Sequence, residues 1–148
     1  MHAQGINIFS GEPGLGGALT NPTELSRQKG SIDRPYRVLF RGKDWADAES
    51  AYQILGANLH SAGERDILMA ELIAAKFSQH LDLLKEVEKR GGQEFLQSCS
   101  HFTGARTPKA QAWEGQGLQS RFIRNLVAGF VLASSSEALT EMGQGTLF

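Results

Sequence analysis

The strongest constraint on the fold is the run "AGERDILMAELIAAKFSQHLDLLKEVEKR", Ala62 to Arg90, which sits between a helix-start and a helix-stop signal. "SAGE" (Ser61–Glu64) has the spacing of a capping box, in which a serine and a glutamate three residues on satisfy the first N–H groups. Lys89 and Arg90 suit the negative end of a helix dipole, and Gly91-Gly92 stops the helix. One long helix over 62–90 is therefore expected. At about 100° per residue, Met69, Leu72, Ile73, Leu83, Leu84 and Val87 form an apolar arc, opposite Glu71, Gln79 and Asp82. An arc of that length must be covered by other elements. Lys76 and His80 fall inside it. A lysine directed at a core is costly unless its head reaches water or a partner. Either Lys76 snorkels at the arc's edge, or it lines a pocket opposite a carboxylate, for which Glu49 is the candidate. His80 reads as a hydrogen-bonded core histidine.

"DWADAESAYQ" (Asp44–Gln53) reads as a second helix, with Asp44 as its N-cap. Wound helically, Trp45, Glu49, Tyr52 and Gln53 share one face. That face either packs Trp45, Ala48, Tyr52 and Leu55 with Glu49 at its margin, or holds a carboxylate among aromatics for chemistry. "INIF" (Ile6–Phe9) reads as an edge strand, and "YRVLFRG" (Tyr36–Gly42) as another strand ending at a turn. Between them runs a loop of about twenty residues rich in Gly, Pro and Asn, a length that is usually functional or disordered. Its "GEPGLGG" lacks G-x-G-x-x-G spacing and a surrounding βαβ pattern, and fits better as a tight loop that brings backbone close to a ligand. "QEFLQSCSHF" reads as a short helix. "RFIRNLVAGFVLA" (Arg121–Ala133) reads as a strong one, with Phe122, Leu126 and Phe130 on its buried stripe. In "AWEGQG" (Ala112–Gly117), Trp113 either plugs a core edge or offers a stacking surface for a base or ribose.

The expected fold is α+β, a predominantly helical single domain with a small β-sheet, spanning 1–133. Residues 134–148 form a tail. Lys+Arg 15 against Asp+Glu 16 leaves a net charge of −1, which argues against nucleic-acid binding through a broad basic field and leaves a local patch open. The single cysteine, Cys99, cannot form an internal disulfide and points to a reducing compartment. His2, His60, His80 and His101 lack metal-ligand spacing, so no metal or other cofactor is expected. "MHAQGINIF" has no basic stretch followed by a long apolar run, and no segment approaches the roughly 18 apolar residues of a membrane span. The expectation is a cytoplasmic protein with no membrane partner.

Several segments line up in the order of a known family. "WADAESAYQ" (Trp45–Gln53) resembles the signature of the NADAR (YbiA-like) N-glycosidase superfamily, an aromatic followed by an S-x-E-H-x-Y-Q-like helix. "KFSQH" (Lys76–His80) is similar to its K-F motif. "AWEGQG" with "RNLVAG" (Arg124–Gly129) is similar to its W-G-x-G … G-x-N-x-L-G ending. "SGEPGLGGALTNP" (Ser10–Pro22) resembles the S-G-x-x-L-G-x-x-L-S-N start of some phage-like members. Ser50 stands where the family has histidine, Glu114 where it has glycine, and extra residues lie between Thr23 and Tyr36.

The resemblance implies a YbiA/NADAR-like fold and hydrolysis of the N-glycosidic bond joining ribose to a base or base-like amine. Family substrates are early riboflavin-pathway intermediates, or guanine carrying ADP-ribose. Cleavage builds oxocarbenium character at the anomeric carbon, which a nearby carboxylate can stabilise. Two routes stay open: Glu49 directs water at that carbon, or Lys76 attacks it through a Schiff base, with Glu49 ranked first. By motif position the substrate-binding candidates are Asn21, Trp45, Tyr52, Gln53, Trp113, Glu114, Arg124 and Asn125, although Arg124 lies opposite its helix's apolar stripe. The alternative is a nucleotide- or ADP-ribose-binding module without turnover. The ending "QGTLF" resembles the Q-x-x-L-F peptide that docks on the bacterial sliding clamp, with Gln144, Leu147 and Phe148 as its anchors.

Overall fold

A glycine sets how closely the two principal helices cross. A Cβ built on Gly129 would lie 2.5 Å from Ile73 Cγ2 and 2.9 Å from the Ala70 carbonyl oxygen. Only glycine lets the last helix lie so close on the central one. The computed structural model describes residues 4–147, with side chains to residue 135.

The first half of the described chain runs α1 (Leu15–Leu19), α2 (Thr23–Gln28), β1 (Val38–Phe40), β2 (Lys43–Trp45), α3 (Ala48–Leu55) and α4 (Ala62–Gln79). Then come α5 (Leu81–Lys89), α6 (Gln93–Gln97), β3 (Ser100–His101), α7 (Pro108–Gln111), β4 (Gly115–Gln116), a 3-10 turn (Gly117–Gln119) and α8 (Arg121–Leu147). This is a predominantly helical α+β domain. Its larger core joins Met69, Ile73 and Phe77 of α4 to Leu84 and Val87 of α5, Phe95 and Leu96 of α6, and Phe122, Leu126 and Phe130 of α8. A smaller core packs Val38, Trp45, Ala48 and Ala51 against Leu68 and Leu72 on the other side of α4. Burying each such large apolar side chain stabilises the fold by roughly 1.5–3 kcal/mol.

The strands form two small pairs rather than one sheet. β1 and β2 are a hairpin with Val38 opposite Trp45 and Phe40 opposite Lys43. Its turn places both Arg41 (φ 52°) and Gly42 (φ 75°) in the left-handed region, as a two-residue type I′ connection requires. β3 and β4 pair Ser100 with Gln116 and His101 with Gly115. The expected strand over Ile6–Phe9 shrinks to one bridge, Asn7 to Ser100, flanked by Ile8 N–H donating to Ser100 O at 2.8 Å.

Three further expectations are corrected. The helix over 62–90 is two helices, because His80 leaves the helical region (φ −130°, ψ 73°). Its Nε2–H donates to the Arg37 carbonyl at 2.7 Å, a bond that ties the break to the segment entering β1. The apolar arc continues in phase across the break, so periodicity alone could not show it. The glycine-rich loop contains α1 and α2, with Gly16, Gly17, Ala18 and Leu19 all buried. Asp44 does not cap α3: it lies in β2 and accepts from Arg37 Nε at 3.0 Å, while Asp47 is the cap. The expected boundary between 133 and 134 falls within α8, and Gln144, Leu147 and Phe148 lie outside the residues whose side chains are described. Among the described residues, no helix is long and apolar enough to cross a membrane.

Candidate functional site

Asp47 organises the local geometry. Its Oδ1 accepts from Ser50 N–H at 2.8 Å and from the Ser50 hydroxyl at 2.7 Å, and its Oδ2 accepts from Glu24 N–H at 3.0 Å. One carboxylate thus caps α3 and fastens α2 to it. Glu49 N–H also donates to Asn21 O at 3.4 Å. Glu49 and Gln53, one turn apart, then border a cleft of about 980 Å³ between the segment around α2, the start of α3, and residues 101–113. Of the expected residues, Asn21, Glu49, Tyr52, Gln53 and Trp113 line it together.

Glu49 is half-buried, and desolvation holds its carboxyl above the usual range. Gln53 Nε2 donates to it at 2.5 Å and pulls the other way, as does the charge of Lys109, whereas Asp47 adds to the rise. A carboxylate placed this way is a stronger base than an exposed one. Beside it, the Tyr52 ring meets Trp113 edge-on at 5.8 Å, and the Arg121 guanidinium lies 4.0 Å over the indole. Arg121 Nε donates to Asp66 Oδ1 at 2.7 Å, which fixes its orientation. Asn21 is only 3% exposed; its Nδ2 donates to Met69 Sδ at 2.7 Å, and its Oδ1 has no hydrogen-bond partner among the described residues.

The charge of the cleft departs from that of the chain. Lys29, Arg65, Lys109 and Arg121 line it against the single carboxylate of Glu49, four positive charges to one negative. A chain of net charge −1 therefore presents a local field that favours an anionic ligand.

The other expected residues lie elsewhere. Lys76 is 3% exposed and does not line the cleft. Its Nζ donates to Ala18 O at 2.5 Å and Thr20 O at 2.8 Å, and the carboxylate whose charge it feels is Asp47, not Glu49. Burial lowers its pKa to about 7. Trp45 is a core residue of β2, with Nε1 donating to Phe40 O at 3.1 Å. Glu114 accepts from Thr103 N–H (2.6 Å) and Oγ1 (2.7 Å), so it holds the loop that borders the cleft without lining it. Those two bonds lower its pKa. Arg124 is exposed and donates to Leu118 O at 2.8 Å. Asn125 is buried, donating to Asp66 Oδ1 at 3.0 Å, where it ties α8 to α4.

Sequence reasoning missed Ser10, Lys29, Arg65, His101, Lys109 and Arg121 as cleft residues. Arg121 carried a usable signal, since it precedes the buried stripe by one residue and opens the helix that follows the Trp113 loop. Lys29, Arg65 and Lys109 carried none, because an isolated basic residue looks the same at a cleft as on any surface. Among the described residues, no group of three His, Cys, Asp or Glu side chains could hold a metal ion. No protein-family model, curated protein or solved structure matches this chain.

Proposed function

We propose that the chain is an N-glycoside hydrolase with a YbiA/NADAR-like fold. It cleaves the bond between ribose, borne as ribose phosphate or ADP-ribose, and a base or base-like amine. The observation that carries this reading is Glu49: a half-buried carboxylate of raised pKa at the wall of a cleft that also offers an aromatic pair and four cations. In the proposed reaction, water attacks the anomeric carbon as the C–N bond breaks. Glu49 takes a proton from that water, the sugar gains the hydroxyl, and the amine departs with the bonding pair and receives the proton that Glu49 took up, which restores the carboxylate. The ionised carboxylate also opposes the positive charge that develops on the sugar. The cations suit the phosphate groups, and the Tyr52–Trp113 pair suits a flat leaving group. The water-directed route is favoured over attack by Lys76, because that amine does not line the cleft and two of its N–H groups are already engaged by the Ala18 and Thr20 carbonyls.

A second reading is a binding module that holds a nucleotide or ADP-ribose in the same cleft without turning it over, tethered to the sliding clamp through Gln144, Leu147 and Phe148. Ser50 favours it: the residue after Glu49 is bound to Asp47 and supplies no imidazole. Release of the base from ribosylated aminopyrimidines and ADP-ribosylated guanine, followed by chromatography, separates the two. Turnover by wild type and its loss in Glu49→Gln support the hydrolase. Tight binding by both proteins with no product supports the module, and neither binding nor turnover removes both.

A further inference from the structure

His101 borders the cleft, and the hydrolysis described above leaves it unused. It lies in β3 and is only 9% exposed. Its Nδ1 is 2.6 Å from the Ile8 carbonyl oxygen. A carbonyl can only accept, so Nδ1 carries the proton, and in a neutral imidazole the lone pair is then on Nε2. The neutral form is the favoured one: burial lowers the pKa, against the opposing pull of the Ile8 carbonyl and the Glu114 charge. The ring packs on Phe122, another cleft residue, with centroids 4.5 Å apart. This contact and the Ile8 bond together fix its orientation.

Nε2 has no hydrogen-bond partner among the described residues. That matters because the charged side chains of the cleft are mostly donors. Lys29, Arg65, Lys109 and Arg121 can only donate, and the one carboxylate, Glu49, is shared between Gln53 and the water of the proposed reaction. Against that background, an oriented acceptor with an unused lone pair is a recognition group. We infer that His101, as its Nδ1–H tautomer, accepts a hydrogen bond at Nε2 from an N–H or O–H group of the cleft's ligand. This rests on the ribosyl reading of the cleft. The donor is either a ribose hydroxyl or an N–H of the base, two sources of the same chemistry. An imidazolium, a donor at both nitrogens, would reject that same group.

The test uses the full chain labelled with ¹⁵N-histidine, and the His101 signals are identified by their loss in His101→Asn. In the unliganded protein the inference expects a protonated Nδ1 and an unprotonated Nε2. Ribose 5-phosphate at saturation should move the Nε2 resonance if a hydroxyl is the donor. Guanosine should move it, with ribose 5-phosphate inactive, if the base supplies the N–H.

Two variants divide the ring's duties. His101→Asn keeps a donor for Ile8 O but removes the cleft acceptor, and should weaken the effective probe about tenfold, the size of one hydrogen bond. His101→Gln places an amide oxygen near the Nε2 position and should recover most of that loss. An Nε2–H tautomer overturns the inference. So does a probe that moves the Trp113 indole signal while Nε2 stays in place, or wild-type affinity in folded His101→Asn. If neither probe binds, the ribosyl reading fails, and the inferred ligand fails with it.

Discussion

Lys76 and Glu49 are both ionisable groups largely withdrawn from water, and the fold handles them in opposite ways. Lys76 is enclosed between α4 and the C-terminal end of α1, where the carbonyls of Ala18 and Thr20 receive its N–H groups and the Tyr36 ring lies 5.6 Å away. Glu49 opens on a cleft, with a glutamine as its nearest side-chain partner and cations around it. A desolvated charge answered by fixed backbone dipoles is a structural device, and its cost appears in stability. One left facing a cavity is available to a ligand, and its cost is recovered in binding or chemistry.

The largest effect belongs to Lys76. Its amine titrates at about 7 in the folded protein, against the usual 10.5. Between those values the unfolded chain binds more protons than the folded one, so stability rises with pH across that window. Below about pH 7 both states are charged and the penalty is constant. A separation of about 3.5 pH units, at about 1.4 kcal/mol each, amounts to roughly 5 kcal/mol by pH 10.5. Lys76→Met lacks this titration. Urea unfolding at pH 7 and pH 10 should show wild type gaining stability on the variant by several kcal/mol, whereas parallel behaviour would mean that Lys76 reaches water.

Glu49→Gln comes next. Removing a catalytic base lowers turnover by about 10²–10⁴-fold. Because the folded carboxyl titrates above its unfolded value, the ionised side chain opposes folding at all pH values above the unfolded pKa. The variant should therefore lose activity without losing stability at pH 7. A destabilised Glu49→Gln would make this carboxylate a structural group like Lys76 and erase the contrast.

The long amphipathic segments of the fold were legible in the sequence. The N-cap at Ser61 is formed, with Glu64 N–H donating to Ser61 Oγ at 3.1 Å and the Ser61 hydroxyl donating to Glu64 Oε1 at 3.2 Å, and the Gly91-Gly92 stop has positive φ at both residues. Local polar chemistry at element ends was harder to read. Sequence alone puts the cap of α3 at Asp44, but a type I′ hairpin uses the Asp44–Trp45 pair as strand and leaves the cap to Asp47. The same hairpin carried Trp45 into the core, although helical spacing had placed it beside Glu49. Within the site, the residues of α3 were legible because a helix face is a local property. The basic residues come from four separate segments, and only the tertiary fold brings them together.

The two tryptophans offer a smaller test of that point. Trp45→Phe removes the bond to Phe40 O from a packed core and should cost about 1–2 kcal/mol in unfolding experiments, while affinity for a cleft ligand stays unchanged. Trp113→Phe should do the reverse, weakening the ligand severalfold by calorimetry through loss of indole surface beside Tyr52 and Arg121. Equal losses of affinity would place Trp45 in the site after all.

The smallest expected effect is at Arg124, and its value lies in the comparison with Arg121, less than one helical turn away. Arg124 is exposed on α8, and its one described bond, to Leu118 O at 2.8 Å, is at the surface. Arg124→Ala should change unfolding free energy by less than about 0.5 kcal/mol and leave ligand affinity as it is. Arg121→Ala removes a cleft cation, the stack on Trp113 and the partner of Asp66, so it should weaken an anionic ligand about tenfold or more, as loss of a charge-assisted hydrogen bond does. The two substitutions delete the same side chain three residues apart on one helix, so the difference between them measures what its surroundings make of a guanidinium. If Arg124→Ala weakened the ligand as much as Arg121→Ala, the cation that matters would be the one motif spacing selected. The cleft's charge would then have to be reassigned away from the wall that Arg121 shares with Trp113.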